Sequence, residues 1–229
     1  MKKNSTKVSC FIPAYNEGKR ILCVLAAALE NEWVDEVIVV DDGSTDGTKK
    51  MLEKKEGIHF ISYAKNRGKS FAVMTGLKRA KNDLILMLDS DLLGLTSDDI
   101  TRLILPVIEG RADMSMTTRQ NSLLIYKLLG MDFVSGERVF HKKILGDLDL
   151  IGKLRGFGLE AYINKIVVKK RLRLKVVYWD HVITPRKSVK LGWWAGTVGD
   201  FKMFLEMVAT IGLLGVLSQI FKMRSLRVK

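Results

Sequence analysis

Two carboxylates that stand two residues apart form the pattern with the clearest chemistry in this sequence. Asp89 and Asp91 come directly after the apolar run 84–88, which predicts a buried strand. Carboxylates at the end of a strand can bind Mg²⁺ or Mn²⁺, because these ions prefer oxygen ligands and often share them with substrate phosphates. The alternative is that one aspartate caps the strand while the other is solvated, and an isolated pair would favour that alternative.

Other polar loops follow predicted strands in the same half of the chain. Strands predicted at residues 8–12, 34–40, 58–63 and 84–88 alternate with helices predicted at residues 17–29, 45–55 and 68–80. This alternation is typical of βαβ units, so we expect an α/β fold with a mostly parallel sheet that is flanked by helices. Right-handed crossovers would bring the loops at residues 13–17, 41–44, 64–69 and 89–91 to one edge of that sheet.

These four loops offer the chemistry that a charged ligand needs. They contain carboxylates, cations and backbone amides at the starts of helices, a combination that suits a nucleoside diphosphate carrying a divalent metal. Ordinary turn chemistry is the alternative for each loop, since Asn, Asp and Gly favour turns. That alternative would have to apply independently in all four loops.

The second half of the chain is less regular. It predicts a helix at residues 99–109, a strand near 112–116, a helix after 155–160 and a strand at 175–179. Six basic residues lie between positions 165 and 175, and we expect a solvated basic face there, with phosphate or membrane contact as the alternative.

Charge narrows the class of partner. The chain of 229 residues has a formal net charge of +13, which favours nucleic acid, sugar nucleotides or an anionic membrane. Asp89 and Asp91 disfavour nucleic acid, because without a metal they would repel phosphate. A sugar nucleotidyltransferase is also disfavoured, since the glycine-rich stretch that usually opens such enzymes is absent after residue 12.

Cys10 and Cys23 are expected to be reduced core residues.

The four loops resemble the motifs of family 2 inverting glycosyltransferases with the GT-A fold. Residues 13–17 are similar to the family's P-x-Y-N-E, residues 39–46 to its V-D-D-G-S-x-D, residues 66–69 to its N-x-G-K and residues 89–91 to its D-x-D. The resemblance extends from about residue 8 to 187, and it implies transfer of a hexose from a UDP- or GDP-linked donor to an acceptor with inversion.

The resemblance also implies roles for individual residues at the donor site. Asp42 would recognise the base, Glu17 would contact the nucleoside, and Lys69 would approach the pyrophosphate. Asp89 would lie near the ribose and the metal, and Asp91 would bind Mg²⁺ or Mn²⁺ directly and act in catalysis. The implied nucleotide-sugar site comprises Pro13, Tyr15, Glu17, Asp42, Lys69, Asp89 and Ser90.

The acceptor is implied by a later segment. Residues 132–145 resemble the S-G-x-R segment of dolichyl- or polyprenyl-phosphate hexosyltransferases, so the resemblance implies a polyprenyl phosphate acceptor. A phosphate nucleophile is already anionic at neutral pH and needs counter-charges rather than a strong base. The implied acceptor contacts are Ser135, Arg138, Arg186 and Lys187, with Arg138 and Lys187 also acting in catalysis.

Two departures keep a soluble phosphorylated acceptor open. Leu93 stands where dolichyl-phosphate mannosyltransferases usually carry Gln, and residues 156–160 resemble the G-x-G-x-E of glucosyl-3-phosphoglycerate synthase-like members. In that subgroup a late histidine completes the metal shell, a role that His181 would take here. Glu160 would orient the acceptor or act as general base, and its alternative is a favourable charge at the start of a helix.

The C-terminal residues suggest contact with a membrane surface. Residues 207–221 are almost wholly apolar and are followed by basic residues, but the stretch is too short to span a bilayer. We expect a GT-A domain at residues 1–190 and a helical segment at 191–229 that lies on an anionic leaflet, with Trp193 and Trp194 at the headgroup level. Packing on the domain's own core or at a dimer interface is the alternative. The sequence thus predicts a cytoplasmic protein that can be peripheral on the cytoplasmic face of the membrane. A non-catalytic basic membrane- or nucleotide-binding module is the alternative to a glycosyltransferase.

Overall fold

The computed structural model describes residues 6–185 and 212–228, and its centre is a seven-stranded sheet. Apolar, often β-branched runs build most of the strands, as expected for strands that are covered on both faces. The strands are β1 (Val8–Ala14), β2 (Val34–Asp41), β3 (Ile58–Ser62), β4 (Leu84–Met87), β5 (Met114–Arg119), β6 (Arg138–His141) and β7 (Leu174–Trp179).

The order of the strands across the sheet is β3-β2-β1-β4-β6-β5-β7. Parallel pairs join β1 to β2, β1 to β4, β2 to β3 and β5 to β7, whereas β6 is antiparallel to both β4 and β5. The parallel strands therefore end at one edge of the sheet, which we call the ligand edge, and β6 begins there. The predicted α/β fold with a mostly parallel sheet is confirmed.

Helices cover both faces of the sheet. Within the described residues they are α1 (Arg20–Leu29), α2 (Thr48–Leu52), α3 (Lys69–Arg79), α4 (Ser97–Ile108), α5 (Leu124–Leu129), α6 (Leu148–Gly152), α7 (Gly158–Lys170) and α8 (Leu213–Ser225), with a 3₁₀ turn at Lys142–Leu145. One core cluster packs the sheet against α3, α5, α6, α7 and α8, and the other packs it against α1, α2 and α4. The helix α4 begins with a capping box between Thr96 and Asp99.

Several elements differ from the sequence prediction. The helix predicted at 45–55 is shortened to α2, because Thr45 and Asp46 form hydrogen bonds in the loop that precedes it. The strand β5 continues to Arg119, since its last residues pair with β7. The short helices α5 and α6 were not predicted, because segments of five or six residues carry too little periodicity.

The last described helix packs on the domain. Val216, Ile220 and Met223 on its inner face are buried in the core beside α7, and Leu174 exchanges backbone hydrogen bonds with Leu226 and Val228. Part of the apolar stretch 207–221, Trp193, Trp194 and the proposed boundary at residue 190 lie outside the described residues. None of the helices at residues 6–185 and 212–228 combines the length and apolar character needed to cross a bilayer.

Close packing of α3 on β1 requires a glycine at position 76. A Cβ atom added at Gly76 would lie 2.0 Å from the ring of Phe11. Alanine has the higher helix propensity by about 1 kcal/mol, but overpacking of a well-filled core usually costs about 1–3 kcal/mol. The ring of Phe11 therefore decides which residue this helix position accepts.

We expect Gly76→Ala to lower the free energy of unfolding in urea denaturation, since overpacking outweighs the gain in helix propensity. Gly47→Ala is the control, because Gly47 has a negative φ and a Cβ atom there would meet nothing within 4 Å. Equal urea midpoints for the Gly76 variant and the wild-type protein would show that Phe11 can move aside.

Candidate active site

An ion-paired cluster lies at the ligand edge where β4 ends. The Nζ atom of Lys69 donates to Asp89 Oδ1 at 2.8 Å and to Glu160 Oε1 at 3.0 Å. Lys69 is the first residue of α3, Asp89 lies two residues beyond β4, and Glu160 is in the first turn of α7. Three residues that are distant in sequence thus meet at one ammonium group. Lys69 and Asp89 are predicted donor-site residues, and Glu160 is predicted to orient the acceptor or to act as general base.

The pairing sets the charges in this cluster. Burial alone would lower the pKa of Lys69, but the charges of Asp89 and Glu160 outweigh burial and raise that pKa above its ordinary value. Burial would raise the pKa of Asp89, but Lys69 and then Arg119 hold it below the usual range. The ammonium and the carboxylate therefore both stay charged around neutral pH. Glu160 is buried, and its second oxygen, Oε2, has no hydrogen-bond partner among the described residues.

Arg119 is a site residue that the sequence analysis missed. It ends β5, and its Nη1 atom lies 2.8 Å from Glu137 Oε1 and 4.0 Å from Asp89 Oδ2. Its other terminal nitrogen pairs with Asp132 at 3.4 Å, while its Nε atom is buried without a partner in the part of the chain that the structure describes. Burial would lower its pKa, but Glu137 and the neighbouring acids, including Asp91, raise it. Arg119 is therefore a permanent cation beside the aspartate pair.

Arg138 and Ser135, predicted to contact the acceptor, lie beneath this cluster. Neither is exposed to solvent. The Arg138 guanidinium donates to the backbone oxygens of Ser135 and Phe133 and to Asn164 Oδ1, and the Ser135 hydroxyl donates to Glu137. Burial lowers the pKa of Arg138, against the opposing effect of Glu160 and other acids. Direct contact with an acceptor stays a prediction that would require these side chains to be uncovered.

A glycine allows this segment to approach the aspartate pair. A Cβ atom at Gly136 would lie 2.4 Å from Asp89 Oδ1 and 2.5 Å from Oδ2. Any larger residue at position 136 would therefore displace the carboxylate that Lys69 and Arg119 hold.

Asp42 anchors the loop that leads into α3. Its two carboxylate oxygens accept hydrogen bonds from the backbone N–H groups of Arg67 at 2.8 Å and Gly68 at 2.7 Å. Asp42 is buried at the end of β2, and Gly68 has a φ of +98°, a conformation that favours glycine. The contact of Asp42 with a base stays a prediction, and the structure adds that Asp42 positions the loop carrying Lys69.

The loop after β1 is joined to the loop after β2. Asn16 has a φ of +54°, its backbone N–H donates to Ser44, and its side-chain oxygen accepts from the backbone N–H of Thr45 at 2.8 Å. Tyr15 is exposed beside it, and Glu17 pairs with Arg20. Pro13 is buried within β1, and Ser90 is buried between the two aspartates. The structure thus brings all the predicted donor-site residues to the ligand edge.

His181 is the remaining predicted residue that the structure describes, and it lies outside the ion-paired cluster. The Nε2 atom of His181 lies 2.9 Å from Asp99 Oδ2 at the start of α4, and Asp99 also pairs with Arg102. A metal-binding role for His181 stays a prediction. Arg186 and Lys187 lie outside the described residues.

The residues at the ligand edge fit a divalent metal that is shared with a ligand. The described residues contain no group of three or more His, Cys, Asp or Glu side chains arranged to hold a metal ion. Two carboxylates are enough where substrate phosphates supply other ligands, as is usual for Mg²⁺. The aspartate pair lies in a dense network of charged side chains, which comprises Asp132, Glu137 and Glu160 with Lys69, Arg119 and Arg138.

A comparison with protein families identifies the class. Residues 9–143 match the model described as glycosyl transferase family 2, so the chain belongs to that family and the predicted membership is confirmed. The match includes all four loops of the ligand edge and ends just after β6.

Named relatives show partial overlap. The chain is 38% identical over 124 residues to undecaprenyl-phosphate 4-deoxy-4-formamido-L-arabinose transferase of Proteus mirabilis, covering 50% of this chain and 37% of that protein. It is 29% identical over 158 residues to dolichyl-phosphate beta-glucosyltransferase of Trichomonas vaginalis, covering 63% and 46%. The chain thus spans less than half the length of these two relatives. It is 27% identical to UDP-N-acetylglucosamine–dolichyl-phosphate N-acetylglucosaminyltransferase of Methanococcus voltae, covering 86% and 93%.

Solved structures share the fold. Glucosyl-3-phosphoglycerate synthase from Mycobacterium tuberculosis, solved with Mn²⁺, uridine diphosphate and glucosyl-3-phosphoglycerate, matches with a TM-score of 0.68 at 20% identity, covering 94% of this chain and 80% of that chain. Residues 1–349 of S. aureus TarS match with a TM-score of 0.60 at 22% identity, covering 76% and 60%. The predicted GT-A fold is confirmed.

We expect Asp42→Ala to weaken the binding of UDP and GDP by at least about tenfold, because the loop that carries Lys69 loses the two charge-assisted hydrogen bonds that hold it, each worth about 1.5–3 kcal/mol. Calorimetric titration in the presence of Mn²⁺ measures this effect. Lys65→Ala, an exposed change in the same loop, is the control. Unchanged affinity for both nucleotides would remove Asp42 from the site.

Proposed function

We propose that this chain transfers a hexose from a UDP- or GDP-linked donor to a phosphorylated acceptor by metal-assisted inverting transfer. The observation that carries the proposal is the aspartate pair at the end of β4, with Asp89 held by Lys69 and next to Arg119. Family membership supports the reaction class, and two carboxylates at the end of one strand support a divalent cation.

The donor would lie across the loops that follow β1, β2 and β4. Asp89 and Asp91 would hold Mg²⁺ or Mn²⁺, which would supply a Lewis acid to stabilise the departing nucleoside diphosphate. Lys69 would keep Asp89 ionised and lie beside the pyrophosphate. Glu160 would hold the ammonium of Lys69 through Oε1, and contact of its buried Oε2 atom with the sugar would require that atom to be uncovered.

The acceptor that we propose is a polyprenyl or dolichyl phosphate. The names of the Proteus, Trichomonas and Methanococcus relatives all contain such a lipid phosphate. A phosphate oxygen is already anionic at neutral pH, so the reaction needs a counter-charge more than a base. Arg119 would add to the positive charge beside the reacting groups, since it is a permanent cation near Asp89.

We expect Asp91→Asn to lower the transfer rate by about a hundredfold or more while the fold is retained, because a lost metal ligand removes several kcal/mol of charge stabilisation. The measurement is release of UDP or GDP from a panel of nucleotide sugars, with Mn²⁺ and farnesyl phosphate, under single-turnover conditions. Asp98→Asn, an exposed change in the first turn of α4, is the matched control. A rate within a few-fold of the wild-type rate would contradict the assignment of Asp91.

We further propose that the protein docks on an anionic bilayer through two helices with exposed apolar faces. Leu124 and Leu128 of α5 are 71% and 70% exposed, and Leu214 and Phe221 of α8 are 82% and 64% exposed. Large apolar side chains exposed on neighbouring helices commonly mark a site of interaction with a protein or a membrane. We call these four side chains the apolar face.

The two helices are neighbours on one side of the sheet. A Cβ atom at Gly130, the residue after α5, would lie 2.2 Å from a guanidinium nitrogen of Arg227, two residues beyond α8. Lys222 and Arg224 are exposed in the last turn of α8, and such cations favour an anionic leaflet over a neutral one. The helix α5 also follows Arg119, so docking there would bring a lipid acceptor towards the ligand edge.

We expect the protein to sediment with vesicles that contain phosphatidylglycerol, and to sediment less with neutral phosphatidylcholine vesicles. Leu214→Ser with Phe221→Ser, and separately Leu124→Ser with Leu128→Ser, should each reduce sedimentation several-fold, because each pair removes apolar area from the contact. Substitutions are preferable to truncation, since the inner face of α8 is part of the core. Leu29→Ser, on the opposite side of the sheet, is the control.

Two results would contradict docking. The first is that the wild-type protein remains in the supernatant with both vesicle types at low salt. The second is that the same substitutions dissociate an oligomer in sedimentation velocity, which would show that the apolar face contacts a second copy of the chain.

A further inference from the structure

A cavity of about 620 Å³ opens between the start of α3 and the segment that joins α6 to α7. We call it the basic cavity. Its walls come from two stretches of sequence more than eighty residues apart, residues 66–71 and residues 152–156. The sequence analysis assigned no role to Lys153 or Arg155, and the proposed donor site does not include them.

The lining of the basic cavity carries cations and no carboxylate. Arg67, Lys69, Lys153 and Arg155 all contribute to its walls. Arg67, Lys153 and Arg155 form no ion pair with any acid at residues 6–185 or 212–228. Several like charges around one concave space repel one another and attract an anion. The charge of the basic cavity therefore favours an anionic ligand.

Arg67 is held in place before any ligand arrives. Its guanidinium carbon lies 3.3 Å from the centre of the Phe71 ring and 5.8 Å from the centre of the Tyr63 ring, so a cation–π contact positions it. Its backbone N–H is bonded to Asp42, which fixes the chain at the same residue. A preorganised guanidinium loses less side-chain entropy when it binds an oxyanion.

The location of the basic cavity distinguishes its ligand from the donor. Lys69 lines the cavity and also donates hydrogen bonds to Asp89 and Glu160, so an anion in the cavity would lie next to the proposed reaction centre. Residues 66–69 of its wall belong to the loop after β3, one of the four loops predicted to contact the donor, whereas residues 152–156 belong to none of those loops. An anion bound by Lys153 and Arg155 would therefore lie beside the donor and belong to a second substrate.

We propose that the basic cavity binds the phosphate monoester of the acceptor, an inference that rests on the proposed glycosyl transfer. Arg67, Lys153 and Arg155 contact the phosphate oxygens by charge-assisted hydrogen bonds. Phe71 and Leu154 supply apolar wall for the carbon chain that the phosphate carries. Two sources share this chemistry, a polyprenyl phosphate and a small soluble phosphate monoester.

The experiment is calorimetric titration of the full chain, in the presence of Mn²⁺ and UDP, with farnesyl phosphate and with glycerol 3-phosphate. The variant is Lys153→Gln with Arg155→Gln, both exposed side chains. Its matched control is Lys54→Gln with Lys55→Gln, an exposed pair beyond α2. Loss of two charge-assisted contacts should weaken the binding of the phosphate monoester by at least about tenfold. The affinity for UDP with Mn²⁺ should change by less than about twofold, and the control pair should change neither affinity.

The arms of the experiment separate the possible results. Weakened binding of farnesyl phosphate alone supports a lipid acceptor in the basic cavity, and weakened binding of glycerol 3-phosphate alone supports a soluble one. Equal binding by variant and wild-type protein, or failure of the wild-type protein to bind either monoester, would overturn the proposal. A parallel loss of UDP affinity would also overturn it, because the cavity would then belong to the donor. Glycosyl transfer itself is tested separately by the Asp91 variant.

Discussion

The contacts of Lys69 with Asp89 and Glu160 are the interaction on which the rest of the site depends. A buried charge is strongly unfavourable unless it is paired, and breaking a buried pair by removing one partner typically costs about 3–5 kcal/mol. Lys69 is only partly buried, but Glu160 is almost completely enclosed. The ammonium therefore allows an acid to lie in the first turn of α7, and it holds the starts of α3 and α7 against the end of β4. Lys69 thus belongs both to the donor loops and to the wall of the basic cavity.

A second set of charged side chains lies next to the pairs of Lys69 and holds Asp89 from another side. Arg119, Glu137 and Asp132 form a chain of ion pairs, and Arg138 is enclosed by backbone oxygens and Asn164. Such networks fix the orientation of their members more than they add stability. Asp89 is thus oriented from two sides, by Lys69 and by Arg119, and Gly136 leaves it the space it occupies. The site is preorganised by side chains that a ligand need not contact.

The sequence was sufficient to predict the first half of the fold and the place where its loops meet. The strands β1–β4 are mostly apolar, and their parallel topology brings their ends together. Arg119 was not found, because the apolar pattern of β5 stops at Met116 and the threonines that extend the strand read as polar. A motif could not show that Arg138 and Ser135 are buried, since depth depends on which elements pack above them. The basic cavity depends on the approach of α3 to the segment after α6, a long-range contact that local patterns do not record.

The antiparallel direction of β6 has a consequence for how this chain tolerates changes in length. After β1, β2 and β4, a ligand loop leads into a helix, so an inserted residue can be absorbed before the next strand begins. Residues 132–137 instead lead directly into β6, where Arg138 is paired with both Met87 and Met116. A shift of one residue in a strand moves every side chain to the opposite face of the sheet. The fold should therefore tolerate insertions and deletions better in the loops that end strands than in residues 132–137, although the proposed donor site itself depends on those loops.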